Sequence, residues 1–358
     1  MNINYDRTLG AFLGCGMGDA LGAPTETRPT YLIKKDIGNG DYTFDYTVPL
    51  ETTLVAEYPP ARRLGIATDD LSVSYISALE FLKDGKITEE GAKRGLLEWS
   101  KIPEYYIPHS GPSTRDAIAK LVGYYALEDN RPYVEYDGSH GSYPLNKAST
   151  NGAGMKAFVA GVFNPLDPDK AIDDLIVYAG ITHPNRIALS AGAAVAAATA
   201  VAMDEHSTLD KVLDAGFYGA KEGYLRASKI YPSVTGSDVV ERMKLAVGIG
   251  LKYSDDFDRC ITEMNDLVGL GIRATEAIPA GFGFMVAAGG DTLKAIHMAM
   301  NAGDDTDTVG AICGSMCGAY QGFSGITNAQ YHLDMIQKAN SFDLCEVARK
   351  VSELTTGK

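Results

Sequence analysis

Two stretches of the chain carry glycine at every fourth position: Gly10, Gly14, Gly18 and Gly22 near the start, and Gly310, Gly314, Gly318 and Gly322 near the end. Residues four apart lie on one face of an α-helix. Each glycine in a helix interior is about 1 kcal/mol less favourable than alanine, so a helix with such a stripe must recover the deficit by tight packing. Both stripes stand beside acids, Asp19 and Glu26 in the first case and Asp304, Asp305 and Asp307 in the second. The spacing predicts that the two bare faces pack closely against each other and bring Glu26 towards Asp305 and Asp307.

Elsewhere the pattern is also helical. Leu71, Tyr75, Ile76, Leu79 and Leu82 keep to one helical face until Asp84-Gly85 stops the run, and the segments 92–99, 117–127, 170–178, 209–229, 239–253 and 293–301 read the same way. The expectation is an all-α, many-helix fold forming a single domain over 1–358, with irregular or hairpin excursions near 29–63 and 103–149. The first excursion holds the alternating pieces DYTFDYTV and TTLVAEY. The second gathers Tyr105, Tyr106, Tyr124, Tyr125, Tyr133, Tyr136 and Tyr143, a composition suited either to a pocket rim or to ordinary loop packing.

A net charge of −14 argues against nucleic acid or an anionic membrane as the partner, because phosphate binding needs basic surface. The run Ile187–Met203 is apolar but alanine-rich and better suited to a buried core helix than to a membrane span. The segment LGAFLGCGMG after Arg7 is too glycine-rich for a secretory signal. Cys15, Cys260, Cys313, Cys317 and Cys345 are odd in number and lack CxxC spacing, which points to reduced, buried thiols and a cytoplasmic location.

A second acidic cluster, Thr68-Asp69-Asp70, lies where the helix containing Leu71 should begin, just as Asp304–Asp307 precede the second glycine stripe. One such acid is explained by helix capping. Two acid-rich starts, each with adjacent threonines, exceed what capping requires. Were they to meet in one pocket, their repulsion would be relieved by protonation or by multivalent cations. All-oxygen donors favour Mg²⁺ or Mn²⁺ over zinc, and so many acids can hold two ions. Other Asp-rich motifs fit less well. Met316 stands where an EF-hand loop starting at Asp305 needs its final carboxylate, the DTDT run lacks the preceding strand of a DxDxT phosphotransferase, and neither cluster supplies the DDxxD of isoprenoid synthases.

Four ordered motifs, GCGMGDALGAPTE at 14–26, TDD at 68–70, NGAGMK at 151–156 and GDDTDTVGAICGSMCGAYQG at 303–322, resemble the ADP-ribosylglycohydrolase family, which includes the dinitrogenase reductase-activating glycohydrolases. The resemblance implies an all-α fold with a two-metal centre. It implies Thr68, Asp69 and Asp70 as ligands of one metal and Asp305, Asp307 and Thr308 as ligands of the other, with Asp307 bridging. Asp304 occupies a position where the family often has glycine or asparagine and is left out of the ligand set. Glu26 matches a glutamate that is a metal ligand or water-activating base, and Asp19 supports the first loop. Asn151, Gly152 and Gly154 resemble the backbone cradle for ADP-ribose, with Lys156 in place of the usual arginine, and His183 resembles a further pocket position.

The activity so implied is hydrolysis of the glycosidic bond between ADP-ribose and an acceptor, with ADP-ribosyl-arginine on a protein as the leading substrate. Two Mg²⁺ ions, or Mn²⁺, would position the ribose and activate water, with Glu26, Asp69 or Asp305 receiving its proton. Two alternatives stand beside this reading: a hydrolase of a small free ADP-ribosyl or nucleoside-like compound, and a non-catalytic ADP-ribose-binding member of the fold.

Overall fold

The computed structural model describes residues 3–37, 65–125, 131–134, 149–231 and 233–356. Among these the chain is helical apart from one small hairpin. In chain order the helices are α1 (Ile3–Gly22), α2 (Thr30–Ile37), α3 (Asp69–Asp84), α4 (Glu89–Ser100), α5 (Pro103–His109), α6 (Pro112–Val122), α7 (Phe158–Phe163), α8 (Pro168–Ala179), α9 (Arg186–Ala202), α10 (Leu209–Ala227), α11 (Val239–Lys252), α12 (Phe257–Leu267), α13 (Ala274–Ala287), α14 (Thr292–Ala302), α15 (Thr306–Gln321), α16 (Ala329–Asn340) and α17 (Leu344–Thr355). Strands β1 (Tyr124–Tyr125) and β2 (Arg131–Pro132) pair antiparallel, with Tyr124 opposite Pro132.

The glycine stripes form the central contact. Helices α1 and α15 run antiparallel, and their glycines pair in one register: a Cβ on Gly10 would lie 2.2 Å from the Gly318 carbonyl oxygen, one on Gly14 2.0 Å from that of Gly314, and one on Gly18 2.1 Å from that of Gly310. The relation is reciprocal, since a Cβ on Gly318 would meet the Gly10 oxygen at 2.0 Å. Gly22 continues the row, with its missing side chain only 2.5 Å from the backbone of Asp307. The close approach therefore ends at the acidic residues themselves.

Around this pair the core is built from helices that are apolar on most faces. Every residue of α9 except Arg186 and Val201 is buried, as expected of an internal helix. Helix α13 is buried along most of its length and contains Pro279, which has no N–H to give. The Thr275 carbonyl left over accepts instead from Arg242 Nε (3.2 Å). The same guanidinium donates to the carbonyls of Leu267 (3.0 Å) and Val268, anchoring the loop 268–273 that leads to the site.

The second excursion is more regular than expected. Its first part is α5 and α6, and the latter ends at Val122 with Gly123 in the left-handed conformation (φ 85°), so the helix expected over 117–127 begins and ends earlier. A hairpin lies here, between β1 and β2; DYTFDYTV and TTLVAEY fall outside the described residues, as do Tyr136 and Tyr143. Among the described residues no helix is long and apolar enough to cross a membrane, and all five cysteines are free, four of them buried.

A methyl group has no room in the α1–α15 contact. Gly14→Ala is expected to lower stability by roughly 3 kcal/mol through overpacking. Gly248→Ala, in α11 with nothing within 4 Å of the added carbon, should raise it by about 0.5–1 kcal/mol. Chemical denaturation of both variants measures the contrast.

Candidate metal centre

Eight of the seventeen described helices are capped by the side chain of the residue before them. The side chains of Thr88, Asp167, Thr208, Asp238, Asp256, Asp291 and Asp343 each accept a hydrogen bond from a backbone N–H three residues on. Thr68 before α3 and Asp305 before α15 make no such bond. At α3 the duty passes to another segment: the buried Asp19 carboxylate, from α1, accepts from the N–H of Thr68 (2.7 Å) and of Leu71 (2.9 Å). Asp19 thus supports the Thr68 loop, and it leaves the Thr68 and Asp70 side chains for other work.

The acids converge. Carboxylate oxygens of Asp19, Asp70 and Asp307 all lie within 4.8 Å of one another, and so do those of Glu26, Asp305 and Asp307. Asp307 belongs to both groups. Hydroxyls of Thr68 (3.2 Å) and Thr308 (3.4 Å) donate to Asp70 Oδ2, while Asp70 Oδ1 is buried with no hydrogen-bond partner. Asn151 Nδ2 donates to Asp305 Oδ2 (2.7 Å), and Asp307 Oδ1 accepts from the Thr308 N–H (2.9 Å). Asp69 is half-buried and falls in neither group of three, yet its carboxyl responds to Asp305 and Glu26.

Burial and mutual repulsion raise the pKa of these carboxyls. Burial, then Asp19, Asp305 and Glu26, push Asp69 up to about 8. Burial raises Asp70 well above the usual carboxylate range, with Asp19 and Asp69 adding to it, and raises Asp307 likewise, with Glu26 and Asp305 adding. Burial also raises Asp305, against the opposing hydrogen bond from Asn151. An all-oxygen donor set containing an orphaned buried oxygen suits hard divalent cations such as Mg²⁺, which would be held by the two groups sharing Asp307.

Two backbone devices position the groups. Thr27 and Asp304 both adopt left-handed φ (61° and 63°) and face each other: the Thr27 N–H donates to the Asp304 carbonyl (2.6 Å) and the Asp304 N–H to that of Arg28 (3.2 Å). This clasp fastens the residue after Glu26 to the residue before Asp305. It also explains why glycine or asparagine suits position 304, since those residues enter the left-handed region cheaply, and the Asp304 side chain points outward. The second device is the loop 268–273. Its Leu270 and Ile272 carbonyls accept from the N–H groups of Asp305 (3.3 Å) and Asn151 (2.8 Å). Nothing in the local sequence marks this loop as part of the site.

The NGAGMK segment lies alongside. A Cβ on Gly152 would strike the His183 ring at 2.7 Å and one on Gly154 the Ile278 side chain at 2.5 Å, so these glycines admit protein side chains. His183 is buried, with Nε2 against Thr150 Oγ1 (2.9 Å) and Nδ1 against Thr182 Oγ1 (2.7 Å). Burial, and then the Lys156 charge, lower its pKa well below the usual range and keep it neutral. Lys156 turns inward to Thr182 Oγ1 (3.0 Å). Arg115, in α6, reaches back to the end of α5, donating to Ser110 Oγ (2.8 Å) and the Ile107 carbonyl (3.1 Å).

A family model described as ADP-ribosylglycohydrolase matches residues 1–357. The chain belongs to this family. Among known ADP-ribosylglycohydrolase-like structures, it is similar to one titled "ADP-ribosylglycohydrolase-related protein complex", with a TM-score of 0.60 and 20% identity over 99% of this chain and 100% of that one. At that identity the likeness establishes the fold. This ADP-ribosylglycohydrolase family member is also 26% identical to the uncharacterized protein YegU of Escherichia coli K12, over 90% of both chains. It is 26% identical to an uncharacterized protein of Archaeoglobus fulgidus, over 89% of this chain and 88% of that one.

The raised carboxyls have a definite consequence for stability. A carboxyl whose pKa is higher folded than unfolded binds its proton more tightly in the native state, so metal-free stability falls as pH rises from about 4, the unfolded value, towards the folded value of about 8 for Asp69. Thermal melts of chelator-treated protein between those limits should show Tm falling with pH, and saturating Mg²⁺ should flatten the trend. At the clasp, Asp304→Asn should change stability by less than about 0.5 kcal/mol, whereas Asp304→Val should lower it by about 1–2 kcal/mol because a β-branched residue resists left-handed φ. Urea denaturation distinguishes the two.

Proposed function

We propose that this protein is a binuclear-metal hydrolase that cleaves the glycosidic bond joining ADP-ribose to an acceptor, with ADP-ribosyl-arginine on a protein as its substrate. The observation that carries the reading is the pair of carboxylate groups sharing Asp307, beside a buried Asp70 oxygen with no partner. Family membership supplies the reaction class. Thr68, Asp69 and Asp70 would hold one cation and Asp305, Asp307 and Thr308 the other, Asp307 being the acid common to the two carboxylate groups. Mg²⁺ is the expected ion, with Mn²⁺ able to replace it.

When bound, the cations supply charge that orients the ribose hydroxyls and makes a water molecule more acidic. The chain's own residues do the rest. Asp19 fixes the Thr68 loop and Asn151 fixes Asp305, so the oxygens are set before substrate arrives. Of the acids, Glu26 and Asp69 are half-buried while Asp19, Asp70, Asp305 and Asp307 are buried, so Glu26 and Asp69 are the ones able to meet water. Glu26 receives the proton as positive charge develops on the ribosyl ring, and the neighbouring carboxylates stabilise that charge. His183 and the turn beginning at Asn151 line the ADP-ribose side of the site.

The test is a panel of ADP-ribosyl-arginine, ADP-ribosyl-serine, O-acetyl-ADP-ribose and free nucleosides, each with Mg²⁺ and with chelator. Release of ADP-ribose from the arginine compound, abolished by chelation, is the expected result. Turnover of nucleosides alone would redirect the assignment, and release undiminished by exhaustive chelation would remove the metal from it. Asp305→Asn and Asp307→Asn should each lower turnover by roughly a thousandfold or more and weaken Mg²⁺ binding in calorimetry while circular dichroism stays helical. Glu26→Gln should reduce kcat far more than it changes KM.

A further inference from the structure

Among the described residues Arg7 and Lys156 are the buried arginine and lysine side chains. Arg7 is committed to the carbonyls of Ala202, Ala319 and Tyr320, where it closes helix ends. Lys156 instead heads a row of side-chain hydrogen bonds. Its Nζ donates to Thr182 Oγ1 (3.0 Å), Thr182 Oγ1 lies 2.7 Å from His183 Nδ1, and His183 Nε2 lies 2.9 Å from Thr150 Oγ1. Lys156, Thr182 and His183 are buried, whereas Thr150 is half-buried and directly precedes Asn151, whose side chain holds Asp305. The row therefore runs from the interior to the edge of the acidic centre.

Each hydrogen in the row has one place to go. An ammonium can only donate and a hydroxyl has a single hydrogen, so Thr182 accepts from Lys156 and gives its own hydrogen elsewhere. Two acceptors lie within reach, the Ala179 carbonyl at 3.3 Å and His183 Nδ1 at 2.7 Å. The carbonyl already accepts from the N–H groups of Thr182 (3.1 Å) and His183 (2.9 Å), which fills its two lone pairs. The hydrogen therefore goes to Nδ1. His183 is neutral, so its one ring hydrogen sits on Nε2 and is donated to Thr150 Oγ1. The ammonium favours the same tautomer, which leaves the electron-rich Nδ1 facing the positive charge. Thr150 stands at the N-cap of the turn 151–153 and makes no capping bond. Having accepted from His183, it keeps its own hydrogen for a partner that is not among the described residues.

We propose that Lys156, Thr182 and His183 are positioning residues that fix the Thr150 hydroxyl as a one-way donor, and that this donor takes a phosphate oxygen of the bound nucleoside diphosphate. A free hydroxyl donates or accepts as its partner requires. Here the acceptor side is filled by His183, and the remaining hydrogen suits a group that only accepts, as a phosphate oxygen does. Burial lowers the Lys156 pKa to about 8, which leaves the amine mostly charged at neutral pH and able to polarise the row. The charge itself stays in the interior, and only the neutral hydroxyl meets the ligand. The inference rests on the ADP-ribose reading given above and adds to it the group that meets the phosphates and the residues that orient that group.

Two measurements test this. Nitrogen-15 NMR of the His183 ring in the wild-type protein should find the hydrogen on Nε2, and a hydrogen on Nδ1 overturns the inference. Calorimetric titration with ADP-ribose at saturating Mg²⁺ then compares wild type, Thr150→Val, Thr150→Ser, Lys156→Met and the double variant Thr150→Val/Lys156→Met. Thr150→Val should bind about tenfold more weakly, the loss expected for a hydrogen bond to a charged group, while Thr150→Ser should bind as wild type does. Lys156→Met should weaken binding about threefold in the wild-type background and have no further effect beside Thr150→Val, because it acts only through that hydroxyl. Wild-type affinity in Thr150→Val or in Lys156→Met, or a Lys156→Met loss that persists beside Thr150→Val, overturns the inference while leaving the ADP-ribose reading standing. Should Lys156→Met fail to fold, the His183 tautomer and Thr150→Val decide the matter alone. Wild-type protein that binds no ADP-ribose removes that reading and this inference together.

Discussion

Backbone-to-backbone contact between α1 and α15 is the constraint on which the site depends. Because Gly10, Gly14 and Gly18 meet Gly318, Gly314 and Gly310 without side chains between them, the relative height of the two helices is fixed to within the size of a methyl group. That register delivers Gly22 to the backbone of Asp307, where the Thr306 hydroxyl donates to the Gly22 carbonyl (2.7 Å). Glu26 and Asp305 then follow within one turn of chain on either side. The left-handed clasp of Thr27 and Asp304 completes what the glycines begin, converting a helix packing into a placement of two carboxylates.

The price of such placement is electrostatic. Carboxylates crowded in a buried space repel, and burial together with that repulsion raises their pKa values. The protein tolerates this because each loop is braced from elsewhere in the chain: Asp19 braces the Thr68 loop, the carbonyls of Leu270 and Ile272 brace Asp305 and Asn151, and Arg242 braces their loop in turn. Rigidity here is distributed among segments that lie far apart in sequence.

Much of this was legible in the sequence, for physical reasons that differ from element to element. The glycine stripes were readable because four-residue spacing has one structural meaning in a helix, and the amphipathic runs such as 69–84 because one face must be polar. Helix α13 offered no such signal, since it is buried along most of its length and interrupted by Pro279. The acids at 68–70 and 305–307 could be picked out as too many for capping, and the side chains at the two N-cap positions, Thr68 and Asp305, indeed make no capping bond. What Asp19 does, by contrast, depends on a partner 49 positions away, and the inward turn of Lys156 depends on Thr182. Neither is a property of the local pattern. Nor is the part played by the loop 268–273, whose contribution is made entirely by backbone carbonyls.

The capping of α3 by Asp19 has a consequence in time. Eight of the described helices carry a capping side chain in their own preceding residue, but α3 begins on a carboxylate supplied by α1, and α1 itself bears a glycine face that is poorly helical until α15 covers it. As the chain emerges from the ribosome, the first of these helices must wait for one of the last. The acidic centre is therefore assembled only after nearly the whole chain is available, and an incomplete chain holds the right residues with no site to put them in.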